Sequence, residues 1–229
     1  MKNKNILWLY LFLIASLIDM ALLVEHINNW RFFSKPLILL SLIGYFYQIT
    51  KPISWTILSK AVMGALIFSW IGDVLLMWSE FFIYGLGAFF LAHVCYIIAF
   101  KVAQLNHTKL ADVNFIKAFF HNLPIYLVAA FIYYMINPQL GNLKIPVILY
   151  IIIIVSMVST ARERFQKSNA ASFWQVFIGA CFFFVSDGIL ALNKFYQPFS
   201  EAGILIMGTY VIAQLLIVMG IRSHMIQPK

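Results

Sequence analysis

Long apolar stretches separated by short polar ones run the whole length of this chain. Eight of them, at about 6–25, 34–50, 56–78, 81–101, 117–136, 144–161, 172–192 and 202–221, approach the roughly 20 apolar residues that cross a bilayer as a helix. Inside the hydrocarbon region a single segment satisfies its own backbone only as a helix. The pattern therefore predicts an all-α polytopic membrane bundle of eight transmembrane helices. The stretches use most of the 229 residues, so residues 1–229 read as a single integral membrane domain. Most connections are short, which favours antiparallel neighbours in an up-and-down bundle. Loop 102–116 is the longer one, with Asn106-His107-Thr108-Lys109; loops 137–143 and 193–201 carry Asn-Pro, Gly-Asn and Gln-Pro turn signals. Trp8, Trp30, Trp55, Trp78, Trp174 and Tyr196 lie near the ends of stretches, as an interfacial aromatic belt would.

Composition sharpens the picture. The chain is 63% hydrophobic and 10% charged, with a mean hydropathy of +0.90, more apolar surface than a soluble domain of this length can hide. The net charge of +8 does not mark a nucleic-acid partner, because the basic residues are spread over loops without basic–aromatic interleaving. They follow topology instead. With the N-terminus inside, Lys2, Lys4, Lys51, Lys60, Lys101, Lys109, Lys117, Arg162, Arg164, Lys167, Arg222 and Lys229 all fall on the cytoplasmic side. Arg31, Lys35, Lys144 and Lys194 fall outside, which favours both termini being cytoplasmic. The first stretch mimics a signal peptide, but Asp19 and Met20 stand where a cleavage site would be, so it reads as a membrane helix. Cys95 and Cys181 give neither a disulfide framework nor metal-ligand spacing.

Two acids interrupt the apolar pattern at matched places: Asp73 in the third stretch and Asp187 in the seventh. A carboxylate at the bilayer centre costs about 2.5–3.5 kcal/mol on insertion scales and usually marks function. Asp73 precedes Glu80 by seven residues and Asp187 precedes Lys194 by seven, placing both roughly 10 Å below the outer edge. Two carboxyls at one depth suggest a shared site with one as acid and one as base; the alternative is a structural aspartate bonded to helix hydroxyls such as Ser69 or Ser186. The two stretches share a faint Phe…Gly/Ser-Asp…Leu pattern, four helices apart, which raises a parallel four-plus-four repeat.

Other polar groups carry two readings each. Asp19 joins the acids at their depth or is solvated near the interface. Lys35, followed by Pro36 in what reads as a first helical turn, neutralises the acids or holds a lipid phosphate, or else snorkels. His93 and Tyr96 share one face of helix 4 at i and i+3, orienting water or a carboxyl, or simply packing. Tyr210 and Gln214, a turn apart in helix 8, line the cavity or bond between helices. His-Glu-x-x-His, Walker A, Gly-x-Ser-x-Gly and Gly-x-Gly-x-x-Gly patterns are absent from the sequence.

These residues also carry a resemblance. Lys35-Pro36-Leu37, Gly72-Asp73-Val-Leu-Leu76, Gly85 through His93 to Tyr96, Asn122-Leu-Pro124, Tyr150 through Met157, Gly179 through Ser186-Asp187 to Asn193 and Phe195, and Tyr210-Val-Ile-Ala213-Gln214 occur in this order. Together they resemble the YhhN-like family of bacterial and animal membrane proteins, whose animal members are lysoplasmalogenases. The resemblance implies hydrolysis of the vinyl-ether bond of a lysoplasmalogen, giving a fatty aldehyde and glycerophosphoethanolamine or glycerophosphocholine. That reaction suits Asp73 and Asp187, already read from the residues, as the catalytic pair, with Lys35, His93, Tyr96, Tyr210, Gln214, Asp19, Ser186 and Asn193 binding substrate or supporting; the resemblance strengthens His93, Tyr210 and Gln214. The chemistry needs no metal or cofactor; the expected partners are a lysophospholipid, water and the bilayer. The short loops suit a bacterial inner membrane. From the acids alone, a proton-coupled lipid or small-molecule transporter is the alternative of another class. An intramembrane aspartyl protease is the other, although residues 70–73 read Trp-Ile-Gly-Asp rather than Gly-x-Gly-Asp.

Overall fold

Every one of the eight apolar stretches becomes a helix. The computed structural model describes residues 2–52, 55–105 and 115–226. The helices are α1 Lys2–Val24, α2 Arg31–Thr50, α3 Ile57–Leu75, α4 Phe82–Val102, α5 Phe115–Ile136, α6 Lys144–Arg162, α7 Ala170–Ala191 and α8 Ala202–Ile226. Each, alone or with an adjoining short turn, is long and apolar enough to cross a membrane. Asn106 to Lys109, with His107, and Lys229 lie outside the described residues.

The helices are apolar on most of their circumference, so hydrophobic periodicity does not select the buried face. Leu17, Phe33, Ile116 and Tyr134 point outward, while Asp19, Ser69, Asp73, His93, Ser186 and Gln214 are buried. This inversion follows from the solvent: lipid gives no incentive to hide leucine, whereas polar side chains need protein partners.

The chain forms two compact units, Met1–Val102 and Ala103–Lys229, each with four helices. In the first, α1 packs on α2, α2 on α3, and α3 most extensively on α4. In the second, α5 meets α6 and α7, α6 meets α7, and α7 packs most extensively on α8. The division falls where a four-plus-four repeat would put it. In both units the closest hairpin rests on glycine. A Cβ at Gly72 would come within 2.6 Å of the Phe89 ring, and one at Gly179 within 2.9 Å of the Ala213 carbonyl oxygen.

The two aspartate-bearing helices also start alike. The Thr56 side chain accepts the Ser59 N–H ahead of α3, and the Asn169 side chain accepts the Ser172 N–H ahead of α7, each satisfying one orphan donor of the first turn. Asp73 lies 17 residues beyond its cap and Asp187 18 beyond its own, about 26 Å along the axis in both.

Three details depart from the sequence reading. Helix α2 begins at Arg31, so Pro36 sits inside it rather than in its first turn. Polar residues enter α2 early because Arg31 and Ser34 have a partner on α1, described below. The loop before α7 buries completely Arg164, which the sequence shows only as a loop charge. Its guanidinium donates to the Ala103 carbonyl at 3.3 Å, the Ser172 carbonyl at 3.4 Å and the Ser172 hydroxyl at 2.6 Å. Burial pulls Arg164 down to about 10, which leaves it cationic at neutral pH. Finally, Trp8 packs its ring over Gly44 of α2 rather than serving only as an interfacial anchor.

Candidate active-site residues

In the first unit the polar residues gather along the first turns of α2. Asp19 of α1 is fully buried and takes two 3.3 Å bonds from the Arg31 guanidinium and one of 2.7 Å from the Ser34 hydroxyl. One turn beyond Arg31, the Lys35 ammonium lies 4.0 Å from the Asp73 carboxylate of α3. Two cations and two carboxylates, paired as Arg31 with Asp19 and Lys35 with Asp73, thus sum to zero net charge, which is how buried charges become tolerable in low dielectric. The same α2–α3 seam is tied by the Trp70 indole N–H, which donates to the Pro36 carbonyl at 3.1 Å. Asp19 therefore belongs to a clip between α1 and α2.

Gly72, next to Asp73, lets the Phe89 ring of α4 come close against α3. Phe89, Ala92, His93 and Tyr96 form the buried face of α4 at the i, i+3, i+4, i+7 spacing of one helix face. His93 and Tyr96 are fully buried, with Tyr96 stacked on Phe100 at 5.7 Å. The Ser69 hydroxyl, one turn before Asp73, has no hydrogen-bond partner among the described residues, so it does not hold that carboxyl.

In the second unit the Tyr150 hydroxyl of α6 donates to Oδ2 of Asp187 on α7 at 2.5 Å. Tyr150 is buried, whereas Asp187 keeps partial exposure. Helix α5 lies against the same place, because a Cβ at Gly188 would come within 2.8 Å of Ile132. Tyr210, Ala213, Gln214 and Ile217 repeat on α8 the one-face spacing seen on α4, and the Tyr210 ring meets Phe183 edge-on at 5.4 Å. Phe183 lies one turn before Asp187.

Two supporting candidates turn elsewhere. The Ser186 hydroxyl donates to the Ile206 carbonyl at 2.9 Å, tying α7 to α8 rather than to the neighbouring carboxyl. Asn193 lies in a π-helical turn, Leu192–Tyr196, that prolongs α7, and its side-chain oxygen accepts the Phe199 N–H at 3.1 Å. Such turns are frequent beside functional sites. Sequence reasoning missed Tyr150 and Arg31 as partners of acids. Arg31 reads as a loop charge until Asp19 is placed beside it. Tyr150 is one aromatic in an apolar run, and its acid is 37 residues away.

The chain matches the model of the YhhN family over residues 30–221. Among similar proteins, one named lysoplasmalogenase TMEM86B from Homo sapiens is 28% identical over 212 residues, covering 92% of this chain and 84% of the relative. A rat protein of the same name is 28% identical over 225 residues, 95% of this chain and 87% of the relative. A protein named lysoplasmalogenase from Mycobacterium tuberculosis is 30% identical over 168 residues, 69% of this chain and 59% of the relative. No solved structure matches the chain.

Proposed function

The chain belongs to the YhhN family, and from that premise we propose that this integral, multi-pass membrane protein is a hydrolase that cleaves the vinyl-ether bond of lysoplasmalogens. The observation that carries the reading is similarity to proteins named lysoplasmalogenase, over 92–95% of the chain in two animal proteins and over 69% in a mycobacterial one. The substrate is a lysolipid with one 1-alkenyl chain, and water is the second reactant. Its headgroup is phosphoethanolamine or phosphocholine. The membrane of residence is a bacterial inner membrane with both termini cytoplasmic, a topology supported by the unequal distribution of lysine and arginine between loops.

Asp73 and Asp187 are the catalytic carboxyls of this reading. A vinyl ether is cleaved when an acid protonates its β-carbon; the π pair forms the new C–H bond and the α-carbon becomes an oxocarbenium ion. Water adds to that carbon and gives up a proton to one of the two carboxylates, so the pair again holds one proton. The resulting hemiacetal collapses to a fatty aldehyde and the glycerol hydroxyl, so the net change is addition of one water. One carboxyl donates the proton and the other stabilises the cation or takes the proton from water. Glycosidases meet a similar cation with two carboxyls. Lys35 balances the charge of Asp73, and His93, Tyr96, Tyr210 and Gln214 orient water or the carboxyls.

The test is aldehyde release from 1-alkenyl-glycerophosphoethanolamine by detergent-purified protein. Wild type is expected to release aldehyde and glycerophosphoethanolamine in equal amounts. A well-folded wild type that leaves the lipid intact sinks the reaction. Full activity in both Asp73→Asn and Asp187→Asn would keep the reaction and remove the site.

A further inference from the structure

The bond between Tyr150 and Asp187 goes unused in the reaction as written above. Its geometry is specific. The phenol donates to Oδ2 at 2.5 Å, the short end of O–H···O bonds. Tyr150 shares the buried face of α6 with Val147, Ile154 and Met157, spaced three and four residues apart. The hydroxyl is therefore delivered by a rigid helix across the α6–α7 seam. At the next residue, Gly188, Ile132 of α5 comes close to α7. The hydrogen bond thus fixes one carboxyl oxygen to a side chain of the neighbouring helix.

That constraint matters for the chemistry. Protonating the β-carbon of a vinyl ether requires the O–H of the acid to point along the π orbital, perpendicular to the plane of the double bond. A carboxyl that spins about its Cβ–Cγ bond spends most of its time misdirected. Hydrogen bonding one edge to a fixed donor stops that rotation before substrate arrives, so the ordering is not required during the chemical step.

We propose that Tyr150 is a positioning residue for Asp187, fixing the rotation of the carboxyl so that its proton transfer is directed at the substrate. This rests on the reading that Asp187 acts in vinyl-ether hydrolysis. Tyr150 works through Asp187 and makes no claim on the lipid. Loss of its hydroxyl therefore lowers kcat and leaves KM in place.

The experiment compares wild type, Tyr150→Phe and Asp187→Asn in detergent, with 1-alkenyl-glycerophosphoethanolamine as substrate and infrared difference spectra of the carboxyl region. The Asp187 band is assigned by its loss in Asp187→Asn. Tyr150→Phe is expected to lower kcat about tenfold, the worth of one hydrogen bond of this class, with KM changed less than twofold and the Asp187 band displaced. Replacing Tyr150 by 3-fluorotyrosine keeps the fold contacts and strengthens the donor; it is expected to displace the same band even if the phenylalanine variant folds poorly. Wild-type kcat with an unmoved band in both variants overturns the inference while leaving the reaction standing. A rise in KM with kcat intact also overturns it, since that outcome makes Tyr150 part of the lipid site. Full activity in Asp187→Asn removes the catalytic carboxyl itself, and the inference falls with it.

Discussion

In the first unit the helix preceding the aspartate's own, α2, offers Asp73 an ammonium at 4.0 Å; in the second, α6 offers Asp187 a phenol at 2.5 Å. Much else is parallel. Each acid follows a capped helix start by nearly the same distance, and each capped helix packs tightly on the helix after it. Each hairpin closes through a glycine. The difference lies in what the partner can do. An ammonium acts as a point charge, so it compensates a carboxylate without demanding one geometry. A phenol contributes little charge but much direction. The two carboxyls thus sit in unlike settings, one beside a cation and one on a neutral hydrogen-bond donor.

That contrast can be broken at several places. The largest effects are expected on activity: Asp73→Asn and Asp187→Asn should each lower aldehyde release by about 10²–10⁴-fold, the range for removal of acid–base or electrostatic assistance. Equal residual activity in the single and double variants would mean the two carboxyls act as one unit. If one single variant is nearly normal, the parallel between the units is architectural only.

Stability should separate the partners next. Lys35→Met takes the ammonium away from the Asp73 carboxylate and is expected to cost about 3 kcal/mol, the low end for breaking a buried pair. Adding Asp73→Asn should recover much of that loss in thermal unfolding. Tyr150→Phe removes a hydroxyl but leaves the ring, so about 1 kcal/mol is expected. A reversed order would mean that the 4.0 Å ion pair contributes less than the phenol bond.

The hairpins provide the next contrast. Gly179→Ala places a methyl against the Ala213 carbonyl oxygen and the Ile217 N–H, backbone atoms that cannot swing aside. It is expected to cost about 1–3 kcal/mol by overpacking. Gly72→Ala meets the Phe89 side chain instead, which can yield, so a smaller loss is expected. Gly87→Ala has nothing within 4 Å and should stay within about 0.5 kcal/mol of wild type, or gain stability through helix propensity. Comparable melting temperatures for the Gly179 and Gly87 variants would show that the α7–α8 approach is looser than its geometry implies.

What the sequence by itself determined is the set of eight helices and the placing of one carboxyl within the third and one within the seventh. The reason is the solvent: bilayer thickness imposes a length on every apolar run, and an acid within such a run stands out because its cost is high. The ends of the helices were less legible. Arg31 reads as a loop charge, yet it starts α2, because Asp19 on another helix accepts its guanidinium. Arg164 reads only as a cytoplasmic loop charge, yet it is buried, because the Ala103 carbonyl and Ser172 surround it with acceptors. Ser186 stands beside Asp187 in sequence and turns away from it, since successive helical residues face different neighbours. Tyr150 is 37 residues from Asp187 and touches it. Only the tertiary structure decided these partners. In helices apolar nearly all round, no periodic stripe records which face turns inward, and a polar side chain's role depends on what the neighbouring helix presents.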